Sequence, residues 1–166
     1  MTIKFANTVN QSLVFKLWEE SGTSYTVGFY SGTQPANAEF MISNWSSGNN
    51  YRANYLGGFQ SGTFGPTDLT QTNTTGLIAA NSYVTLNSTK TFTASATGTA
   101  AWAIMIGSSV VLSTSYSWNN NLSVIVVPVT DSVTPGGIFR VDSTSFVSGS
   151  LVTVTGFTFI SASGET

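Results

Sequence analysis

The chain has 166 residues, 41% of them hydrophobic and only 7% charged, with a formal net charge of −2 and neither cysteine nor histidine. Globular domains average about 25% charged residues, so this surface must be covered with Ser, Thr, Asn and Gly. Disulfides and thiolate or imidazole metal sites are excluded. The scattered Lys4, Lys16, Arg52, Lys90 and Arg140 make no basic stripe for nucleic acid.

In chain order the signal is a succession of short strands. Met1 to Asn10 has no long apolar core of a signal peptide; Ile3–Phe5 is a short strand candidate, and residues 1–10 are read as an extended N-terminal arm. Leu13, Phe15 and Leu17 alternate with Val14, Lys16 and Trp18, the period of a strand. Their i,i+4 spacing also fits a short helix. The turn Glu20-Ser21-Gly22-Thr23 favours the strand, which leads into Tyr25, Val27 and Phe29 on one parity. Residues 31–37, with Gly32 and Pro35, are a loop, and Phe40–Trp45 is expected to be a strand. Residues 46–50 form a polar turn before a strand at Tyr51–Leu56. Residues 57–76 carry Gly57, Gly58, Gly62, Gly65 and Pro66 and are read as a long loop. Leu77–Leu86 resumes β character.

Residues 90–115 carry the clearest pattern. Phe92, Ala94 and Ala96 alternate with Thr91, Thr93 and Ser95, which predicts a strand with one wet face. Trp102, Ile104 and Ile106 lie opposite Ala103 and Met105, so the strand from Ala101 to Ile106 needs cover on both sides. Where the chain itself does not supply that cover, a neighbouring subunit would. Gly107-Ser108 reads as a hairpin turn. Ser123–Val129 is a continuous apolar run, and Pro128 marks an edge, a bulge or a strand end. Thr134-Pro135-Gly136-Gly137 is a turn before a short strand at Ile138–Val141. In the last strand, Leu151–Ile160, the apolar phase switches from even to odd positions at Gly156, which predicts a β-bulge there. Nine or ten short strands without a convincing helix predict one all-β domain, an antiparallel β-sandwich of jelly-roll type. No run approaches the roughly 20 apolar residues of a membrane span.

The chemical inventory is sparse. No catalytic, cofactor or metal site is expected. The carboxylates are Glu19, Glu20, Glu39, Asp68, Asp131, Asp142 and Glu165. Adjacent Glu19 and Glu20 diverge in a turn, while Asp131 and Asp142 flank the Pro-Gly-Gly turn and are expected near each other. The sequons at Asn10, Asn44, Asn73, Asn87 and Asn121 are expected by chance at this composition. Trp45, Tyr51, Tyr55 and Trp118 sit beside Asn-Ser-Gly turns. They are candidates for subunit contact or for stacking on sugar rings, with burial in the core as the plainer reading.

Gly98-Thr99-Ala100-Ala101-Trp102, Gly107-Ser108 and Val154-Thr155-Gly156-Phe157-Thr158-Phe159 together resemble the β regions that end many small structural proteins of tailed bacteriophages. The resemblance covers the last two-fifths of the chain and lies in texture and order; the hairpin lacks the Asp-Gly or Asn-Gly turn of the more familiar version. It implies a virion component: a capsid decoration (cement) protein, or a tail, neck or tail-fibre protein. Such proteins are commonly homotrimers of β-sandwich or jelly-roll subunits. The partners implied are other copies of this chain, capsid or tail proteins and, in a receptor-binding role, a host-surface glycan.

Overall fold

A computed structural model describes residues 25–45, 50–73, 82–106, 124–131 and 138–160. The predicted elements at Ile3–Phe5 and residues 13–18, the Gly107-Ser108 and Pro135-Gly136 turns, and Trp118 lie outside the described residues. The architecture is all-β. Eleven strands are described: β1 (Tyr25–Tyr30), β2 (Tyr55–Phe64), β3 (Leu69–Asn73), β4 (Ser82–Leu86), β5 (Lys90–Thr93), β6 (Gly98–Thr99), β7 (Trp102–Ile106), β8 (Val124–Thr130), β9 (Ile138–Val141), β10 (Ser145–Phe146) and β11 (Leu151–Ile160).

Nine strands form one sheet in the order β2-β1-β7-β8-β9-β11-β4-β3, with β5 on the same edge of β11 as β4; β6 and β10 pair separately. The sheet is mixed, because β8 and β9 run parallel at Val129↔Phe139 and Thr130↔Arg140. This corrects the expectation of a wholly antiparallel arrangement. The sheet curls until its halves face each other. Phe29 of β1 stacks on Phe92 of β5 at 5.0 Å and meets Phe139 of β9 edge-on at 5.5 Å. The Leu56 carbonyl of β2 accepts from the Ser95 and Ala96 amides just past β5, so backbone bonds tie the two halves together.

The main core fills this curl with Val27, Phe29, Phe59, Phe64, Phe92, Met105, Phe139, Val154, Phe157 and their neighbours. The alternation around β5 holds: Phe92 and Ala94 are buried, while Thr91, Thr93 and Ser95 are exposed. The phase switch in β11 is a bulge. Its pairing with β9 shifts between Val154 and Gly156, and Val152, Val154 and Phe157 all reach the core. A Cβ at Gly156 would meet the Arg140 guanidinium lying across it, so a larger residue there would displace the end of that side chain.

Three segments differ from the expected pattern. Ala38–Ser43 is a short helix, α1, rather than a strand. Asn37 caps it, its side chain accepting from the Phe40 amide at 2.7 Å, a local bond that commits the chain to helix. Tyr51–Asn54 is a 3₁₀ turn, entered through Asn50 in the left-handed region, and β2 begins only at Tyr55. Residues 57–73 are not a long loop: they lie in β2, a 3₁₀ turn at Pro66–Asp68, and β3. Gly57 and Gly58 sit in β2 at φ +143° and +156° because the backbones close in there. A Cβ on Gly58 would strike the Val27 carbonyl, and one on Gly57 would meet Phe92 Cε2 at 2.9 Å.

Both faces of β7 are buried to 0% exposure. Ala103 and Met105 face the main core; Trp102, Ile104 and Ile106 belong to a second cluster with Met41, Trp45 and Tyr51. The chain's own α1 and 3₁₀ turn, with Trp45, therefore cover that face, and it needs no neighbouring subunit.

Candidate functional site

The second cluster gathers three of the four aromatic candidates. Tyr30 ends β1 with its ring on the outer face, stacked on Trp102 at 4.3 Å and an interplanar angle of 14°. Trp45, just past α1, meets Tyr30 edge-on at 5.7 Å, and Tyr51 meets Trp102 edge-on at 5.6 Å. Tyr55 lies 5.5 Å from Tyr30. Met41 in α1, Trp45 just past its C-terminus and Tyr51 in the 3₁₀ turn meet in this one cluster.

Exposure separates these residues. Trp45 and Tyr51 are only 2% and 6% exposed, so neither offers a ring face to a sugar, and of the alternatives weighed for them the structure shows burial in the core. Turn residues beside them in sequence suggested a surface, but Trp45, just past α1, and Tyr51, in the 3₁₀ turn, are both buried. Tyr55 is half-buried at the rim, and its hydroxyl accepts from the Gln60 amide at 2.7 Å. Phe40, 42% exposed, covers Tyr51 from outside at 6.4 Å. The sequence reading missed Tyr30 as the hub. Its position past the Tyr25-Val27-Phe29 series puts it on the opposite face, and the same-face partner Trp102 is its register mate.

The cluster disfavours ionisation of the Tyr30 and Tyr55 phenols. Burial, and then the nearby Tyr55, push the Tyr30 hydroxyl well above its ordinary pKa. Burial also raises Tyr55, partly offset by the Gln60 bond. The Tyr30 hydroxyl has no hydrogen-bond partner among the described residues, and Trp102 Nε1 donates to the Ser31 carbonyl at 3.1 Å. A neutral phenol packed between rings is a poor base or nucleophile, and these contacts lock α1 to the sheet.

Asp68, Asp131 and Asp142 are engaged locally. Asp68 pairs with Lys90 at 2.6 Å and accepts from the Gly65 amide at 2.9 Å. Beside it, Asn87 donates from its backbone to the Asp68 carbonyl and from its side chain to Thr67, and accepts from Thr70. This network pins the irregular step between β4 and β5. Asp142 accepts from the Ser143 and Thr153 amides, and Asp131 from the Thr144 hydroxyl, so the two acids converge on the same short stretch after β9. Among the described residues no three His, Cys, Asp or Glu side chains group as metal ligands, and no helix is long and apolar enough to cross a membrane.

No family model matches the chain, and no curated protein or solved structure matches it either.

Proposed function

We propose that the protein is a non-enzymatic structural component of a tailed-phage virion, a homo-oligomeric capsid decoration protein that binds the capsid lattice. The observation that carries this reading is where the resembling stretches lie in an all-β architecture. Gly98–Thr99 and Trp102 belong to β6 and β7, and Val154–Phe159 is the bulged middle of β11. The low charge supports it too, since an uncharged β surface gives little protection from self-association. Its action is static: uncharged faces and apolar anchors bury surface between copies and against the lattice.

Co-sedimentation with tailed-phage capsids tests this. Saturable binding at a fixed copy number per capsid is expected; no binding, together with absence of the protein from purified virions by mass spectrometry, would overturn it. A tail, neck or tail-fibre component that binds a host glycan is the second reading. Tyr55 favours it, as a half-exposed ring with the Gln60 amide fixed beside it. Loss of glycan-array binding on Tyr55→Ala would select that reading.

A further inference from the structure

The outer face of β9, β11 and β5 follows from strand alternation. Phe139 and Val141 of β9 and Val152, Val154 and Phe157 of β11 point into the main core, so Arg140, Asp142, Leu151 and Thr153 fall on the other side. Register gathers them into a patch. Leu151 lies opposite Thr93 of β5 and Thr153 opposite Thr91, while Gly156 lies opposite Arg140 of β9. Leu151 is 65% exposed, and Thr91, Thr93, Asp142 and Thr155 are exposed as well. The patch therefore presents one large apolar side chain, a middle of hydroxyls and two charges. The other charge on these strands, Lys90 of β5, has the core-side parity of Phe92 and pairs with Asp68; residues 143–160 are uncharged.

The two charges are opposite in sign, and the chain holds them apart. The Arg140 guanidinium lies across Gly156, its Cζ 2.8 Å from where a Cβ would stand. The Asp142 carboxylate turns instead to Thr153, whose amide donates to Oδ1 at 3.0 Å, as does the Ser143 amide at 3.0 Å. Three residues of β11 separate Thr153 from Gly156, roughly 10 Å of strand. Exposed charges at that distance gain little from each other. A cation and an anion side by side on one face make the patch complementary to itself, and both are steadied by β11, which lowers the ordering cost of a contact. We infer that copies of this chain meet through this patch, the Arg140 guanidinium of one copy pairing with the Asp142 carboxylate of the next. Every copy brings one of each charge, so the contact can repeat around a closed ring. Leu151 adds apolar area, and the charge pairing fixes register and orientation more than affinity. This inference rests on the self-association in the proposed function and adds the surface that performs it.

Sedimentation velocity of the full chain over a micromolar concentration series reads the association, with each variant's urea unfolding midpoint as the check on folding. Arg140→Glu sets a carboxylate against the neighbour's Asp142 and is expected to raise the apparent dissociation constant about tenfold or more. Asp142→Asn keeps an acceptor for the Ser143 and Thr153 amides while removing the charge, and is expected to weaken association by a smaller factor. Arg140→Asp with Asp142→Arg in one chain exchanges the charges and is expected to restore association. The unsubstituted protein supplies a readout that no variant's folding affects: association is expected to weaken several-fold between about 0.05 M and about 0.5 M NaCl, because salt screens exposed pairs. Unchanged association in Arg140→Glu, no response to salt, or a correctly folded exchange variant that stays dissociated would each overturn this inference and leave the self-assembling role standing. A wild-type monomer throughout the series would overturn both.

Discussion

Tyr30 lies flat against Trp102, 4.3 Å between ring centroids, while its hydroxyl is buried without a hydrogen-bond partner among the described residues. The ring and the hydroxyl therefore pull in opposite directions on stability. The ring contributes packing that Tyr30→Ala would forfeit at about 3–5 kcal/mol. The hydroxyl contributes only a desolvation cost, so Tyr30→Phe is expected to be neutral or to stabilise by about 1 kcal/mol. Urea denaturation of both variants checks the pair.

The same hydroxyl predicts an alkaline limit. Its folded pKa is raised above the ordinary value of 10.0, so the unfolded chain ionises first. Stability from this group is fully present below pH 10 and is lost as pH rises from there through the folded pKa. Tyr55, raised less, adds in the same sense. Tyr30→Phe is expected to flatten the fall above about pH 10 relative to its own stability at pH 7; an identical fall in wild type and variant would assign it elsewhere.

Asn37 holds the first turn of a helix only six residues long. Asn37→Ala removes the acceptor for the Phe40 amide and is expected to cost about 1 kcal/mol. Because α1 carries Met41 and leads to Trp45, the loss should also loosen the aromatic cluster. Near-UV circular dichroism, which reads the packed tryptophans, is expected to weaken well before far-UV dichroism does on warming.

Two glycines separate collision from conformation. Gly58 and Gly149 both have positive φ, but a Cβ on Gly58 would strike Val27, whereas one on Gly149 would meet nothing within 4 Å. Gly149→Ala should cost about 1 kcal/mol for backbone strain alone. Gly58→Ala should cost more than about 3 kcal/mol, since β1 and β2 must part. Comparable midpoints for the two in chemical denaturation would contradict the close approach.

Much of the β pattern is legible in the chain, and the reasons for the rest are physical. Period-two alternation marks β5, and the phase switch at Gly156 marks the bulge, because strand periodicity is a local property. The two buried faces of β7 also show in its unbroken apolar run. What covers the second face does not, since it depends on contacts between residues 38–54 and a strand some fifty residues on. The α1 segment misleads because Phe40-Met41-Ile42 is apolar without a period, and only the Asn37 cap distinguishes helix from strand. Gly57 and Gly58 read as loop because glycine serves both loops and close strand approaches; the choice is made by Val27 and Phe92, distant in sequence. The same blindness left Trp45 and Tyr51 open between core and surface.

Val147 and Leu151 are 56% and 65% exposed and are linked through the turn in which the Ser150 amide donates to the Val147 carbonyl. Exposed apolar residues of this size are natural anchors for a neighbour. The double variant Val147→Ser, Leu151→Ser should leave the subunit's stability within about 0.5 kcal/mol and, on the proposed oligomeric role, should weaken self-association. Unchanged association would place the contact on another face.

Sedimentation velocity of the full chain at micromolar concentration tests the proposed self-assembling role most directly. A single species of trimer mass, formed without added ligand, is the predicted result. A monodisperse monomer across that range would contradict it.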